Sequence, residues 1–97
     1  METVFIKVDK ALLPHAQGYI EHVMKNCSAV VSLASEGAFG EISLIAHRMK
    51  GEGGAYGLDE VSTAGAEMMF LAETEDADGL KERASSLLQY LERVKVI

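Results

Sequence analysis

The sequence predicts an all-α protein, an antiparallel up-down four-helix bundle preceded by a short extended or helical N-terminal segment. Apolar residues recur every three or four positions in four successive stretches, as they do on one face of a helix. The connectors between these stretches are short, which makes neighbouring helices run in opposite directions. A chain of 97 residues is long enough for a modest core without disulfides. We therefore expect a single domain over residues 1–97.

The N-terminal part of the chain is predicted to form a short extended segment followed by a long helix. Residues 2–8 contain several β-branched side chains and are predicted to be extended. Asp9 is predicted to be the N-cap of the helix, and Pro14 suits its first turn. The helix is predicted to end at Glu36 and Gly37. Its apolar stripe consists of Ala16, Ile20, Val23, Cys27, Val30 and Ala34.

Three further helices are predicted from stripes of the same kind. These stripes are Phe39, Ile42, Ala46, Met49, Gly53 and Tyr56 in the second helix, Leu58, Val61, Gly65, Met68 and Ala72 in the third, and Leu80, Ala84, Leu87, Leu91 and Val94 in the fourth. The acidic run over residues 73–78 is predicted to be a solvated linker. Residues 94–97 are predicted to be extended and to lie beside the N-terminal segment.

Composition narrows the class of protein. The net charge of −6 argues against nucleic acid as a partner, because phosphates require a basic patch. No apolar run approaches the ~18 residues of a membrane span, and the N-terminus lacks the layout of a signal peptide. We therefore expect a cytoplasmic monomer that does not bind membranes. Cys27 is the single cysteine and is predicted to be a buried thiol.

The most informative stretch is the glycine-rich sequence that follows His47. One face of the predicted second helix carries Gly40, Leu44, His47, Gly51 and Gly54, with Ser43 and Lys50 at its edge. Each glycine in a helix interior costs about 1 kcal/mol relative to alanine. A solvated face would carry Glu, Lys or Gln instead. We interpret this face as a surface shaped for docking another macromolecule.

The chemistry available on this face is narrow, and attack of the His47 imidazole on a phosphoryl group fits it. A neutral imidazole is a good nucleophile near neutral pH, and the Lys50 ammonium, one helical turn from His47, can balance charge on a transferred phosphoryl group. No second acid–base residue lies clearly at i±3 or i±4 from His47, and no carboxylate cluster is placed to hold Mg²⁺. The aspartate and the metal must therefore come from a partner.

Metal and nucleotide binding are weaker interpretations of the same sequence. His15 and His22 lie seven positions apart but lack the carboxylate-x-x-histidine partners of di-metal bundles, so we interpret them as solvent-facing residues. Tyr56 occupies the third glycine position of the dinucleotide fingerprint, and no Gly-Lys-Ser/Thr follows. We predict no cofactor and no metal site.

His47, Lys50, Gly51 and Gly57 fit the pattern His-x-x-Lys-Gly, five residues and a glycine. This pattern resembles that of the histidine-containing phosphotransfer (HPt) domain family. The resemblance extends over essentially the whole chain, because the family fold is a helical bundle of this kind. The resemblance implies that His47 accepts and donates a phosphoryl group, that Lys50 supports its charge, and that Gly51 and Gly54 leave room for a receiver domain. Gly57 is expected to have a structural role.

The resemblance also implies partners, namely response-regulator receiver domains and a hybrid histidine kinase. Many family members carry a leucine–glutamate pair late in the third helix, where this chain has Met68 and Met69. That departure leaves open the role of Met69 and any salt bridge made by the family's glutamate.

Two functions follow as hypotheses. The first is a phosphorelay intermediate in which His47 accepts a phosphoryl group from a receiver aspartate, or from a histidine kinase relay, and passes it to another receiver. Such a carrier is not an enzyme, because it neither binds ATP nor phosphorylates itself. The alternative is a non-catalytic helical interaction module that docks receiver-like partners. The presence of both His47 and Lys50 argues against the alternative, and acid-labile phosphate on the protein distinguishes the two.

Overall fold

The computed structural model describes residues 2–97. The chain is mostly helical, at 77%, which confirms the predicted helical bundle. The elements are β1 (Val4–Ile6), α1 (Leu13–Glu36), α2 (Phe39–Glu52), a 3₁₀ helix (Gly53–Tyr56), α3 (Asp59–Glu73), α4 (Ala77–Arg93) and β2 (Val94–Val96). The two strands are short additions to the four helices.

The predicted apolar stripes form one hydrophobic cluster to which all four helices contribute. The predicted stripes of α1 and α3 are buried throughout, and those of α2 and α4 are buried except at half-buried Phe39, Tyr56 and Val94. Burying a Val, Leu, Ile or Met side chain stabilises a fold by roughly 1.5–3 kcal/mol. The side chains buried most completely include Val23, Ile42, Met49, Leu58, Met68, Leu80 and Leu87.

The strands join the two ends of the chain. β1 and β2 pair in parallel, with Val4 opposite Val94 and Ile6 opposite Val96. The Ile97 N–H also donates to the Ile6 carbonyl at 2.9 Å. The predicted contact between residues 94–97 and the N-terminal segment is therefore confirmed.

The predicted start of the first helix is wrong. Helix α1 begins at Leu13 with Pro14 in its first turn, and Leu12 is the N-cap without a side-chain hydrogen bond. The Asp9 carboxylate instead accepts from the Ala11 N–H at 2.9 Å, and the Asp9 carbonyl accepts from the Leu12 and Leu13 N–H groups. Asp9 therefore organises the turn that precedes the helix, where a short acidic side chain reaches nearby N–H groups equally well.

The connection between α3 and α4 is shorter than the predicted acidic linker. Glu73 is the last residue of α3 and α4 begins at Ala77, so only residues 74–76 connect them. Asp76 is the N-cap of α4, and its carboxylate accepts from the Gly79 N–H at 2.9 Å. An N-cap of this kind contributes about 1 kcal/mol to helix stability.

Arg83 links α3 to α4 on the side of the bundle. Its guanidinium contacts Glu60 at 2.5 Å and Glu67 at 2.9 Å, and it also donates to the Ser86 hydroxyl at 3.3 Å. The Arg83 side chain is only 14% exposed. These contacts hold α3, the helix against which α2 packs, in place.

Candidate functional site

His47 lies on the outward side of α2 and faces solvent. Its neighbours Ala46 and Met49 are buried on the opposite side of the helix. The side chains of His47 and Lys50 are both exposed. Positions three apart on a helix have Cβ atoms about 5–6 Å apart, so the ammonium of Lys50 can reach a group bound to the imidazole. Within residues 2–97, no described hydrogen bond or ion pair engages either side chain.

The glycines beside His47 leave bare backbone. A Cβ added at Gly40 or at Gly51 would meet nothing within 4 Å, and one at Gly54 would meet only the Ser62 hydroxyl at 3.8 Å. No internal contact therefore requires glycine at these positions. Leu44, on the same face, is 62% exposed, and Ser43 at the edge is half-buried.

A different glycine fixes the backbone beneath the site. A Cβ added at Gly65 of α3 would lie 2.6 Å from the backbone nitrogen of Lys50 and 2.7 Å from the carbonyl oxygen of Ala46. Helix α3 thus touches the backbone of α2 on either side of His47. The sequence places Gly65 in an apolar stripe, but the residues around it do not reveal that the backbone of α2 packs directly against it.

The end of α2 corrects the predicted helix boundary. The α-helix ends at Glu52 and a 3₁₀ helix continues over Gly53–Tyr56. The Gly54 N–H donates to the Ser62 hydroxyl at 2.9 Å. A Cβ added at Gly53 would lie 2.7 Å from the backbone nitrogen of Ser62. This contact with α3 tightens the last turn, which apolar spacing alone does not predict.

Gly57 ends the 3₁₀ helix in a left-handed conformation, with φ of 70°. A Cβ there would also lie 2.7 Å from the Lys7 carbonyl oxygen. Both observations require glycine, because L side chains rarely adopt this φ and because the backbone of residue 7 leaves no room. The turn after the site is thereby packed against the N-terminal segment.

An aromatic stack holds the same turn to α1. The rings of Tyr19 and Tyr56 are stacked, with centroids 4.3 Å apart and an angle of 5° between their planes. Burial, together with the nearby charges of Glu52 and Tyr56, raises the pKa of Tyr19 to about 12. The Tyr19 hydroxyl is therefore neutral at physiological pH, and the stack is an apolar contact that positions the turn.

The outward face of α2 that carries Gly40, Leu44, His47 and Gly51, with Ser43 and Lys50 at its edge, is called the His47 face below. A groove of about 730 Å³ lies between α2 and α3 at the edge of this face. It shares Gly40, Ser43 and Lys50 with that face, and Met69 and Phe70 line its α3 side. Phe70 is 64% exposed. Sequence reasoning missed Phe70, although its position off the apolar stripe of α3 is a signal for exposure. Met69 is half-buried.

The remaining candidates lie elsewhere. His15 and His22 are exposed on α1. Cys27 is buried, and burial raises the pKa of its thiol to about 11. Among the residues that the structure describes, no group of three or more His, Cys, Asp or Glu side chains is arranged to hold a metal ion. In residues 2–97, no helix combines the length and apolarity needed to cross a membrane.

Comparison with known proteins does not place the chain in a family. No family model, no curated protein and no solved structure matches it.

Proposed function

We propose that this protein is a phosphorelay intermediate of the histidine-containing phosphotransfer type. In this proposal His47 accepts a phosphoryl group from the aspartate of a receiver domain, including that of a hybrid histidine kinase, and passes it to a second receiver domain. One observation carries the proposal. An exposed histidine, with an exposed lysine one turn away, lies on a helix face where Gly40 and Gly51 leave open space.

The transfer step needs few groups on this chain. Nε2 of the neutral imidazole attacks the phosphorus atom, and the P–O bond to the partner's aspartate breaks. The electron pair of that bond leaves on the carboxylate oxygen, while the proton on Nδ1 of His47 stays where it is. Onward transfer reverses these bond changes on a second aspartate. Nε2 is the nitrogen farther from the backbone, so a partner can approach it in line.

Lys50 has an electrostatic role in this proposal. Phosphoryl transfer depends mainly on positioning and on stabilising the charge of the transferred group. The ammonium, one turn from the imidazole, balances charge on the phosphohistidine. It shares this task with a metal ion bound by the receiver, so Lys50 aids transfer without being essential.

The open face supplies the docking surface in this proposal. Gly40 and Gly51 let a partner approach the backbone of α2, and Gly54 does so at the 3₁₀ helix that follows. Leu44 and Ser43 provide an apolar and a polar contact. Exposed apolar side chains beside bare backbone suit a protein partner better than water.

The finer arrangement of the bundle belongs to the same proposal. We infer that the helices run alternately up and down. Gly54, beyond the end of α2, contacts Ser62 near the start of α3, whereas Lys50, one turn earlier, contacts Gly65. The parallel pairing of β1 and β2 brings the start of α1 and the end of α4 to one end of the molecule, which supports opposite directions for that pair as well.

The resemblance noted from sequence supports the same function. His47, Lys50, Gly51 and Gly57 keep the spacing of the family pattern, and Gly57 adopts the left-handed conformation that requires glycine. Met69 lies in the groove in place of the family's glutamate, while Arg83 joins α3 to α4 through Glu60 and Glu67. We further propose that the protein is a cytoplasmic monomer that has no cofactor and is not itself an enzyme.

Transfer from receiver domains tests this function. Each receiver domain of the same genome is phosphorylated with acetyl phosphate and Mg²⁺, then mixed with the wild type, His47→Gln and His15→Gln. We expect acid-labile, base-stable phosphate on the wild type and on His15→Gln but none on His47→Gln. Labelled His47→Gln contradicts the assignment. Binding of a receiver by a wild-type protein that is never labelled indicates the alternative, a non-catalytic interaction module.

A further inference from the structure

The groove between α2 and α3 is continuous with the His47 face. Gly40, Ser43 and Lys50 belong to both surfaces. The groove has an apolar middle and carboxylates at one end. The rest of its lining includes Phe39 at the start of α2 and Ala66, Met69, Phe70, Glu73 and Glu75 from α3 and the turn after it.

Exposed hydrophobic side chains fall into two groups. Phe5, Leu13 and Ile97 lie in or beside the terminal segments, whereas Leu44 and Phe70 lie on α2 and α3. Successive residues of a helix are turned by about 100°, so around α2 His47 lies between Leu44 and the groove-lining residues Ser43 and Lys50. An exposed apolar side chain therefore stands on either side of His47.

We propose that this groove and Phe70 form the second half of the docking surface. The occupant is an apolar side chain of the same partner that carries the aspartyl phosphate, and a basic side chain of that partner faces Glu73 and Glu75. This inference rests on the proposed function and deepens it, because it names the surface that selects one receiver over another.

The size of protein interfaces supports this placement. A standard interface buries about 800 Å² on each partner. A circular patch of that area centred on His47 has a radius of about 16 Å, whereas Ser43 and Lys50 in the groove wall lie within about one helical turn of His47. A partner whose phosphoryl group reaches Nε2 therefore covers the groove. Aromatic side chains are enriched at the cores of such interfaces. The groove has two, Phe70 and half-buried Phe39, and Phe70 is the more exposed, at 64%.

The charges of the groove give it a direction. Lys50 lies one turn from His47 and opposite Gly65 of α3, whereas Glu73 ends α3 and Glu75 follows it, about two turns further along that helix. The described ion pairs of residues 2–97 engage none of the three. A partner with an acidic phosphorylation site, an adjacent apolar side chain and a basic group beyond it complements this order. A partner with the reverse order places like charges together, which costs affinity.

The chain offers a matched control for Phe70. Phe5 is 61% exposed, similar to Phe70, but it lies on β1. Initial rates of transfer are measured at increasing concentrations of a phosphorylated receiver that labels the wild type, and labelling by phosphoramidate is measured alongside. Relative to phosphoramidate labelling, we expect the second-order rate constant for receiver transfer to fall at least about tenfold in Phe70→Ala, through a higher half-saturating receiver concentration, and to stay at the wild-type value in Phe5→Ala.

Charge reversal tests the direction of the groove. Glu73→Lys is expected to raise the half-saturating receiver concentration and to weaken the dependence of transfer on salt, whereas Glu82→Lys, at an exposed position on α4, leaves both at their wild-type values. Equal rates in Phe70→Ala and Phe5→Ala overturn the groove while wild-type transfer still supports the proposed function. Absence of transfer from every receiver to the wild type contradicts the proposed function and this occupant together.

Discussion

Glycines at the contact between α2 and α3 and glycines on the outward side of α2 are there for different reasons. At the contact, a Cβ at Gly53 of the 3₁₀ helix or at Gly65 of α3 would lie less than 3.0 Å from backbone atoms. On the outward side, a Cβ at Gly40 or Gly51 would meet nothing within 4 Å. The first pair is explained by packing inside the molecule. The second pair is not, although helix propensity disfavours each by about 1 kcal/mol.

The stability of the fold therefore explains the glycines at the contact between α2 and α3 but not those on the outward side of α2. Backbone contact between α2 and α3 stabilises the fold and holds the helix that carries His47. The open outward glycines have no such role inside the molecule, and the proposed docking of a partner gives a reason for them. Substitutions on the two sides should therefore have opposite effects on stability and on docking.

The largest expected effect is on the inward side. In Gly65→Ala the new methyl group collides with the backbone of Lys50 and Ala46, and neither backbone atom can move away as a flexible side chain would. We expect a loss of about 3 kcal/mol in the free energy of unfolding, measured in urea. Unfolding at or above the wild-type stability contradicts the close approach of the two helices.

The next effect is at the exposed turn after α2 and concerns docking. Gly54→Gln places a long side chain on the 3₁₀ helix, where only the Ser62 hydroxyl lies within 4 Å of the new Cβ. We expect receiver binding to weaken about a hundredfold, or about 2.7 kcal/mol, with a melting temperature no lower than that of the wild type. Gly18→Gln, on the open surface of α1, is the control. A Gly54→Gln protein that unfolds shows instead that the 3₁₀ turn itself requires glycine.

Lys50 separates charge from shape on the same face. Removing an exposed ammonium near the transferred phosphoryl group is expected to raise the barrier by about 1–2 kcal/mol, or roughly ten- to thirtyfold in rate. Single-turnover transfer to Lys50→Ala measures this effect. Lys25→Ala, at an exposed position on α1, should transfer at the wild-type rate. A Lys50→Ala protein as fast as the wild type reduces Lys50 to a solubilising residue.

The smallest effect sharpens the contrast with Gly65. Gly51→Ala adds the same methyl group in open space, so helix propensity alone determines the outcome. We expect the free energy of unfolding to rise by up to about 1 kcal/mol. A loss of stability in this variant, measured in urea beside Gly65→Ala, removes the distinction between the two sides of α2.

Much of the fold follows from local pattern. The stripe from Ala16 to Ala34 predicts α1, and Gly37 ends that helix with φ of 70°. The β-branched ends of the chain predict the contact between β1 and β2. The His47 face also follows from spacing, because its members are neighbours on a single helix.

The features that sequence pattern misses depend on contacts between distant residues. The 3₁₀ turn at Gly53 depends on Ser62 of α3, and Gly65 is revealed only when α2 lies against it. Asp9 accepts hydrogen bonds in a turn rather than at a helix N-terminus, a choice that residue type does not determine. Phe70 becomes a candidate only because the groove beside it continues into the His47 face.

The central claim, that Nε2 of His47 carries the phosphoryl group, can be tested directly on the imidazole nitrogens. The ¹⁵N-labelled protein is phosphorylated by a receiver domain, and ¹H–¹⁵N spectra of its histidine rings are recorded before and after transfer. We expect the change at Nε2 of a single histidine, identified as His47 by the absence of its signals in His47→Gln. Phosphate on His15, on His22 or on Nδ1 of His47, or an unchanged spectrum of all three rings, contradicts the account.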